Sequence, residues 1–158
     1  MKRLPITFAV AALVAMAVSL PLLAADPLPW PWKAKTPPDP ALVLLSHIDE
    51  VSVAIDKSNP PVLSITVKAQ APSPGYSELQ LTYRLGDPKD RIFAFDARGR
   101  APQDTAEQVI TPVTIEAAYA DAPIGNFDVI EIYTKDNCVG YSVTQSKVTA
   151  CTEQGSSE

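Results

Sequence analysis

From His47 onward, apolar and polar residues alternate with a period of two, and clusters of proline, glycine and aspartate break the alternation every 10–15 residues. That period belongs to strands that bury one face, because successive side chains on a pleated ribbon point to opposite sides. Val51, Val53 and Ile55 form the first stripe, ended by the Ser58-Asn-Pro-Pro61 turn. Leu63, Ile65, Val67 and Ala69 form the second, ended by Ala71-Pro-Ser-Pro-Gly75. Leu79, Leu81, Tyr83 and Leu85 follow, and the turn at 86–90 leads into the short aromatic strand Ile92-Phe-Ala-Phe95. After a polar loop at 98–105, Val109, Val113, Ile115, Ala117 and Tyr119 make a long run in which Pro112 requires an edge position or a bulge. Residues 127–134 and 138–144 complete the series as a hairpin about Lys135-Asp-Asn137.

No stretch of this region sustains a helical period, so the expected fold is all-β. The spacing predicts an antiparallel immunoglobulin- or fibronectin-III-like β-sandwich of about seven strands, with a small barrel as the alternative. A length of 158 residues allows one such domain. We expect residues 47–151 to hold it, 26–46 to be an extended Pro-rich lead-in, and 152–158 to be a disordered tail. Six prolines between Asp26 and Pro40 exclude helix and central strand there, since proline lacks a backbone donor and fixes φ. The inter-sheet disulfide of antibody domains is ruled out, because no cysteine precedes Cys138.

Residues 1–25 have the layout of a secretory signal peptide. Lys2 and Arg3 precede an uncharged stretch with an apolar run from Phe8 to Val18, and Ala24-Ala25 stands before Asp26. Leu22 and Leu23 depart from the small residue preferred ahead of a cleavage site, and the alternative is an uncleaved anchor. Cleavage would remove Lys2 and Arg3, leaving 13 − 2 = 11 basic against 18 acidic residues and no membrane span. The expected location is therefore periplasmic or secreted. In such a compartment Cys138 and Cys151, 13 apart, are expected to form a disulfide, which would stabilise the fold by ~3 kcal/mol on the chain-entropy account.

The composition narrows function mainly by exclusion. A formal charge of −5 disfavours nucleic acid, which needs a basic surface. His47 is the only imidazole and stands at the start of a strand, which leaves little for a His-based triad. Asp49, Glu50 and Asp56, or Asp87 and Asp90, are carboxylate groupings without the spacing of a calcium loop. The six glycines are scattered among turns and form no phosphate-binding loop. We expect no catalytic residues, no metal and no cofactor.

Two features suggest binding. Pro74, Gly75 and Tyr76 form a stiff turn with an aromatic residue, and Trp30 and Trp32 lie in the Pro-rich lead-in. A rigid aromatic loses little entropy on docking. The competing reading is that these rings cap the core. Pro72-Ser-Pro-Gly-Tyr76, with Phe93-Ala-Phe95-Asp96 after it, resembles a group of small exported bacterial β-sandwich proteins of unknown function. A more limited resemblance, through Pro72, Gly75 and Tyr76, is to chagasin-type inhibitors of cysteine proteases. In that family two further loops complete the inhibitory wedge, and Arg98-Gly-Arg100 and Lys135-Asp-Asn137 stand in their places here. Phe127-Asp-Val129 and Asn137-Cys-Val-Gly140 resemble fibronectin type III domains and bear on architecture alone. The expected function is a non-enzymatic exported protein that binds another protein or a cell-envelope component. The alternative is chagasin-like inhibition through the 72–76 loop.

Overall fold

A computed structural model describes residues 39–84, 91–104, 107–120 and 122–152. The expected signal peptide, Trp30, Trp32, Asp87, Asp90 and the tail from 153 lie outside the described residues. Within them the chain is all-β, with no helix and nine strands: β1 (Leu42–Leu44), β2 (His47–Asp56), β3 (Val62–Ala71), β4 (Ser77–Tyr83), β5 (Ile92–Arg100), β6 (Thr111–Ala120), β7 (Val129–Tyr133), β8 (Cys138–Ser142) and β9 (Lys147–Thr149).

The strands form two sheets. The first is β2-β3-β6, antiparallel throughout. In the second, β5 pairs with β4 along one edge, and along the other with β7 and then β1, while β8 and β9 extend the sheet beyond β7. Alternation decides which residues meet between the sheets. Leu63, Ile65, Val67, Ala69 and Ala71 of β3 are buried on one face, and Ile115, Ala117 and Tyr119 of β6 continue that face. Phe95 and Ala97 of β5 and Ile130 and Ile132 of β7 oppose them in the same apolar cluster. Phe95 stacks on Tyr119 across the interface, ring centroids 5.6 Å apart. On β2 the register shifts between Ile48 and Glu50, so the buried positions pass from Ile48 to Val51. One extra residue inverts the parity of every later side chain, which is how a bulge keeps both halves of a strand facing the core.

Each of the seven expected stripes falls mainly in a strand, although Leu85 lies outside the described residues and Val109, Phe127 and residues 143–144 lie beyond the strand ends, and four particulars differ. β1 lies inside the segment expected to be an unpaired lead-in, and β9 was not expected; both are three residues long, too short to show a period. β5 runs on through Arg98-Gly99-Arg100, where the sequence reads as a loop. There β1 and β4 pair with it on both edges, and the arginines find partners on the outer face. Lastly, β5 and β7 are parallel, against the fully antiparallel expectation. Between them the chain crosses to the other sheet as β6, the kind of long crossover that a parallel pair requires.

Candidate functional site

One end of the molecule is sealed. There the β3–β4 turn exposes Pro74 and Gly75, with Gly75 at φ +89, a conformation open to glycine because it lacks Cβ. Tyr76 does not stand out at the tip. It is half-buried against the core, and a Cβ at Gly99 would come within 3.2 Å of its ring and 2.8 Å of Leu79 Cδ2. Gly99 thus lets Tyr76 and Leu79 close the end of the core. Residues 98–100 are the end of β5 and form no loop.

Beside this turn, Arg100 donates to both carboxylate oxygens of Glu78 at 2.8 and 2.9 Å and to Asp39 Oδ2 at 2.7 Å. These bonds tie the start of the described chain to β4 and β5. The guanidinium holds the Glu78 carboxyl below its ordinary value, while the Ala41 amide and then Arg100 lower that of Asp39. Asn137, in the β7–β8 turn, seals the adjoining edge of β2. Its Oδ1 accepts from the Ile48 amide at 2.8 Å and its Nδ2 donates to the Ile48 carbonyl at 2.9 Å, so one side-chain amide replaces a strand partner. His47 lies next to it, a ring nitrogen 3.5 Å from Asn137 Nδ2. Asp49, Glu50 and Asp56 bond three separate partners, Gln70, Lys68 and the Ser58 amide, and do not converge.

The outer face of the second sheet is closed in a different way. Cys138 and Cys151 form the expected disulfide, which fixes the chain after β9 across β7 and β8. Under this strap Glu131 is fully buried. Its Oε1 accepts from the Thr152 amide at 2.7 Å and the Thr152 hydroxyl at 2.6 Å, and its Oε2 accepts from the Tyr133 hydroxyl at 2.7 Å. Burial, with Glu131 as second cause, pushes the Tyr133 phenol up to about 12. Gly140 lets the strap pass, because a Cβ there would meet the Ala150 carbonyl oxygen at 2.9 Å. Glu131, Cys138 and Cys151 have ligand atoms within 4.8 Å of one another, but the sulfurs are bonded together, so the cluster is a disulfide beside a carboxylate. Farther along the same face, Asp96 accepts from Arg98 at 2.8 Å, Arg98 donates to the Leu42 carbonyl, and the Arg84 guanidinium lies 4.3 Å from the Tyr133 ring centroid.

The opposite end is open. Where β2 leaves the sheet and β8 turns into β9, the two sheet edges part around a cleft of about 740 Å³. Its walls are core-facing residues, Val53 and Ile55 from β2, Tyr141 from β8 and Val143 just beyond it, all half-exposed among the described residues. Ile124, one of the few large apolar residues exposed among those described, stands at its rim. Lys57, Ser58, Thr144 and Ser146 line the mouth. This volume lies within the ~300–1,000 Å³ usual for small-ligand sites, as does the pairing of apolar walls with a few polar groups. None of these residues stood out in the sequence as a site. Ile55 and Lys57 read as a strand end and its turn, and only the topology brings them to residues 141–146.

No protein-family model, curated protein or solved structure matches this chain. Among the described residues no helix is long and apolar enough to cross a membrane.

Proposed function

We propose that this chain is an exported, non-enzymatic β-sandwich of immunoglobulin or fibronectin-III kind, and that it binds a cell-envelope component with an apolar part in the cleft beside β2. The observation that carries this reading is the position of Val53, Ile55, Tyr141 and Val143, which belong to the core-facing stripes yet remain half-exposed around one concavity. Folding ordinarily buries such residues, at ~25 cal/mol for each Å² removed from water, and leaving them open keeps that free energy for a ligand. Export is supported by the signal-like N-terminus and by the Cys138–Cys151 bond, which suits an oxidising compartment. At the sealed end Arg100 is paired with Asp39 and Glu78, and Asn137 with the Ile48 peptide, which supports the non-enzymatic reading.

Titration of the exported protein with a neutral environment-sensitive dye such as N-phenyl-1-naphthylamine tests the reading. Saturable blue-shifted fluorescence, lost in Val53→Asp and Val143→Asp variants that keep the wild-type circular dichroism, is the expected result. Fluorescence that neither variant changes would move the binding site elsewhere. The exposed Pro74-Gly75 tip keeps a second reading, docking of a protein partner at the sealed end with Tyr76, to which the sequence adds Trp30 and Trp32 as candidates. Unaltered capture of envelope proteins by a Pro74→Ala, Tyr76→Ala, Trp30→Ala, Trp32→Ala variant would remove it.

A further inference from the structure

We infer that the ligand of the cleft is an anionic amphiphile, with its acyl or aromatic part between the two sheets and its negative head at Lys57. The inference rests on the cleft being the binding site, and adds the ligand's charge and polarity. Three observations converge on it. The walls are apolar on both sides, Val53 and Ile55 facing Tyr141 and Val143, which selects a hydrocarbon or ring. Among the described residues Lys57 is the only charged one lining the cleft, and it is exposed. Lys57, like Lys135 and Lys147, has no ion-pair partner among the described residues, whereas Lys68, Arg84, Arg91, Arg98 and Arg100 are all engaged by carboxylates; of the three unpaired lysines only Lys57 lines the cleft.

The neighbouring acid is already occupied, because Asp56 accepts from the Ser58 amide at 3.0 Å. The Ser58 hydroxyl donates to the Pro60 carbonyl, so the turn is fixed by its own bonds and leaves the ammonium group to solvent or ligand. Across the cleft Ser146, at φ +50, is also among the lining residues. A protein of net charge −5 repels anions at long range, so an unpaired cation set at the mouth of its apolar cleft selects an anion locally.

Competition against the neutral dye separates this inference from the reading beneath it. Dodecanoate, dodecanol and dodecyltrimethylammonium carry the same chain with negative, neutral and positive heads. Dodecanoate is expected to displace the dye about three- to fivefold more tightly than dodecanol, the range of a solvent-exposed ion pair, and the cation most weakly. Lys57→Gln should erase the difference between dodecanoate and dodecanol without changing dodecanol, and Lys57→Glu should reverse the order of the two ions. Equal affinity for all three in the wild-type protein, or an anion preference that persists in Lys57→Gln, would overturn the inference and leave the cleft standing. Failure of the dye and of all three chains to bind would remove the cleft itself.

Discussion

Substituting Gly140 by alanine tests whether the C-terminal strap is seated as firmly as the geometry implies. The added methyl would stand 2.9 Å from the Ala150 carbonyl oxygen and 3.1 Å from that of Thr149. Both are backbone atoms, so no rotamer change relieves the clash, and the strap as a whole must lift. Cys151, one residue beyond Ala150, is bonded to Cys138 and resists that movement. Overpacking of this kind costs about 1–3 kcal/mol. Lifting also stretches the two Thr152 bonds to the buried Glu131 carboxylate, each worth ~1.5–3 kcal/mol when the acceptor is charged. A total of about 2–4 kcal/mol follows if part of those bonds survives, and with a urea slope of ~1–3 kcal/mol/M the midpoint should fall by roughly 1–2 M. The disulfide supplies an internal control. In a Cys138→Ser, Cys151→Ser background, itself about 3 kcal/mol less stable, the strap can yield and the Gly140→Ala penalty should drop to about half. A midpoint shift below ~0.3 M with the disulfide intact, or a penalty unchanged without it, would refute the strap account.

Removing the Asn137 side chain leaves the buried Ile48 amide and carbonyl without their strand substitute, so Asn137→Ala should cost about 2–3 kcal/mol in urea unfolding. Asn137→Asp should cost at least as much, because it sets a carboxylate oxygen against the Ile48 carbonyl where the amide donated. In acid, Asp39, Glu78 and Asp128 are all held below their ordinary values, so their contribution is complete above pH 4.5 and is lost as pH falls through the lowered folded values. The urea midpoint should therefore decline below that pH, and Arg100→Gln should flatten the decline by removing the Glu78 share and part of the Asp39 share, the part due to the Ala41 amide remaining. Toward alkali the sign reverses for Tyr133, whose phenol is raised from 10.0 to about 12: its contribution is present below pH 10 and fades as pH rises to 12. A Tyr133→Phe variant should lose less stability across that interval than the wild type.

The strands were legible wherever one face was buried over four or more residues, because burial on one side writes a period of two into the chain. β3 shows this best, with Leu63 to Ala71 inward and Ser64 to Gln70 outward. The signal fails where both faces are covered. Across β5, Ala94, Phe95, Asp96 and Ala97 are all buried, the odd residues in the core and the even ones under charged neighbours on the outer face. Charge was misleading in the same strand, since Arg98 and Arg100 read as loop residues and are paired strand residues. The disulfide was legible from two cysteines and a compartment. Its consequence was not, because only the register Glu131↔Gly140 and Tyr133↔Cys138 shows that the bond covers a carboxylate. Of the candidate site, the sequence offered Tyr76, whose ring closes the core, and passed over Lys57, because half of the cleft lining, Ile124 and residues 141–146, comes from more than 60 residues away.

The two ends of the sandwich differ in a way that bears on where function resides. At the sealed end each conspicuous group has a partner within the fold: Arg100 has two carboxylates, Asn137 has the Ile48 peptide, and Tyr76 has Gly99. A ligand arriving there would have to displace bonds already made, and would gain little. At the open end Val53, Ile55 and Val143 pack against the core yet stay half-exposed. Nothing in hydrogen bonding requires this: the β2–β3 ladder continues to Asp56↔Val62, and the turns on either side are held by their own bonds. A sandwich selected only for stability would place polar residues at Val53, Ile55 and Val143, or would fold a loop across them. The apolar side chains at that opening, with Lys57 in the lining, are the surface that the proposed ligand would cover.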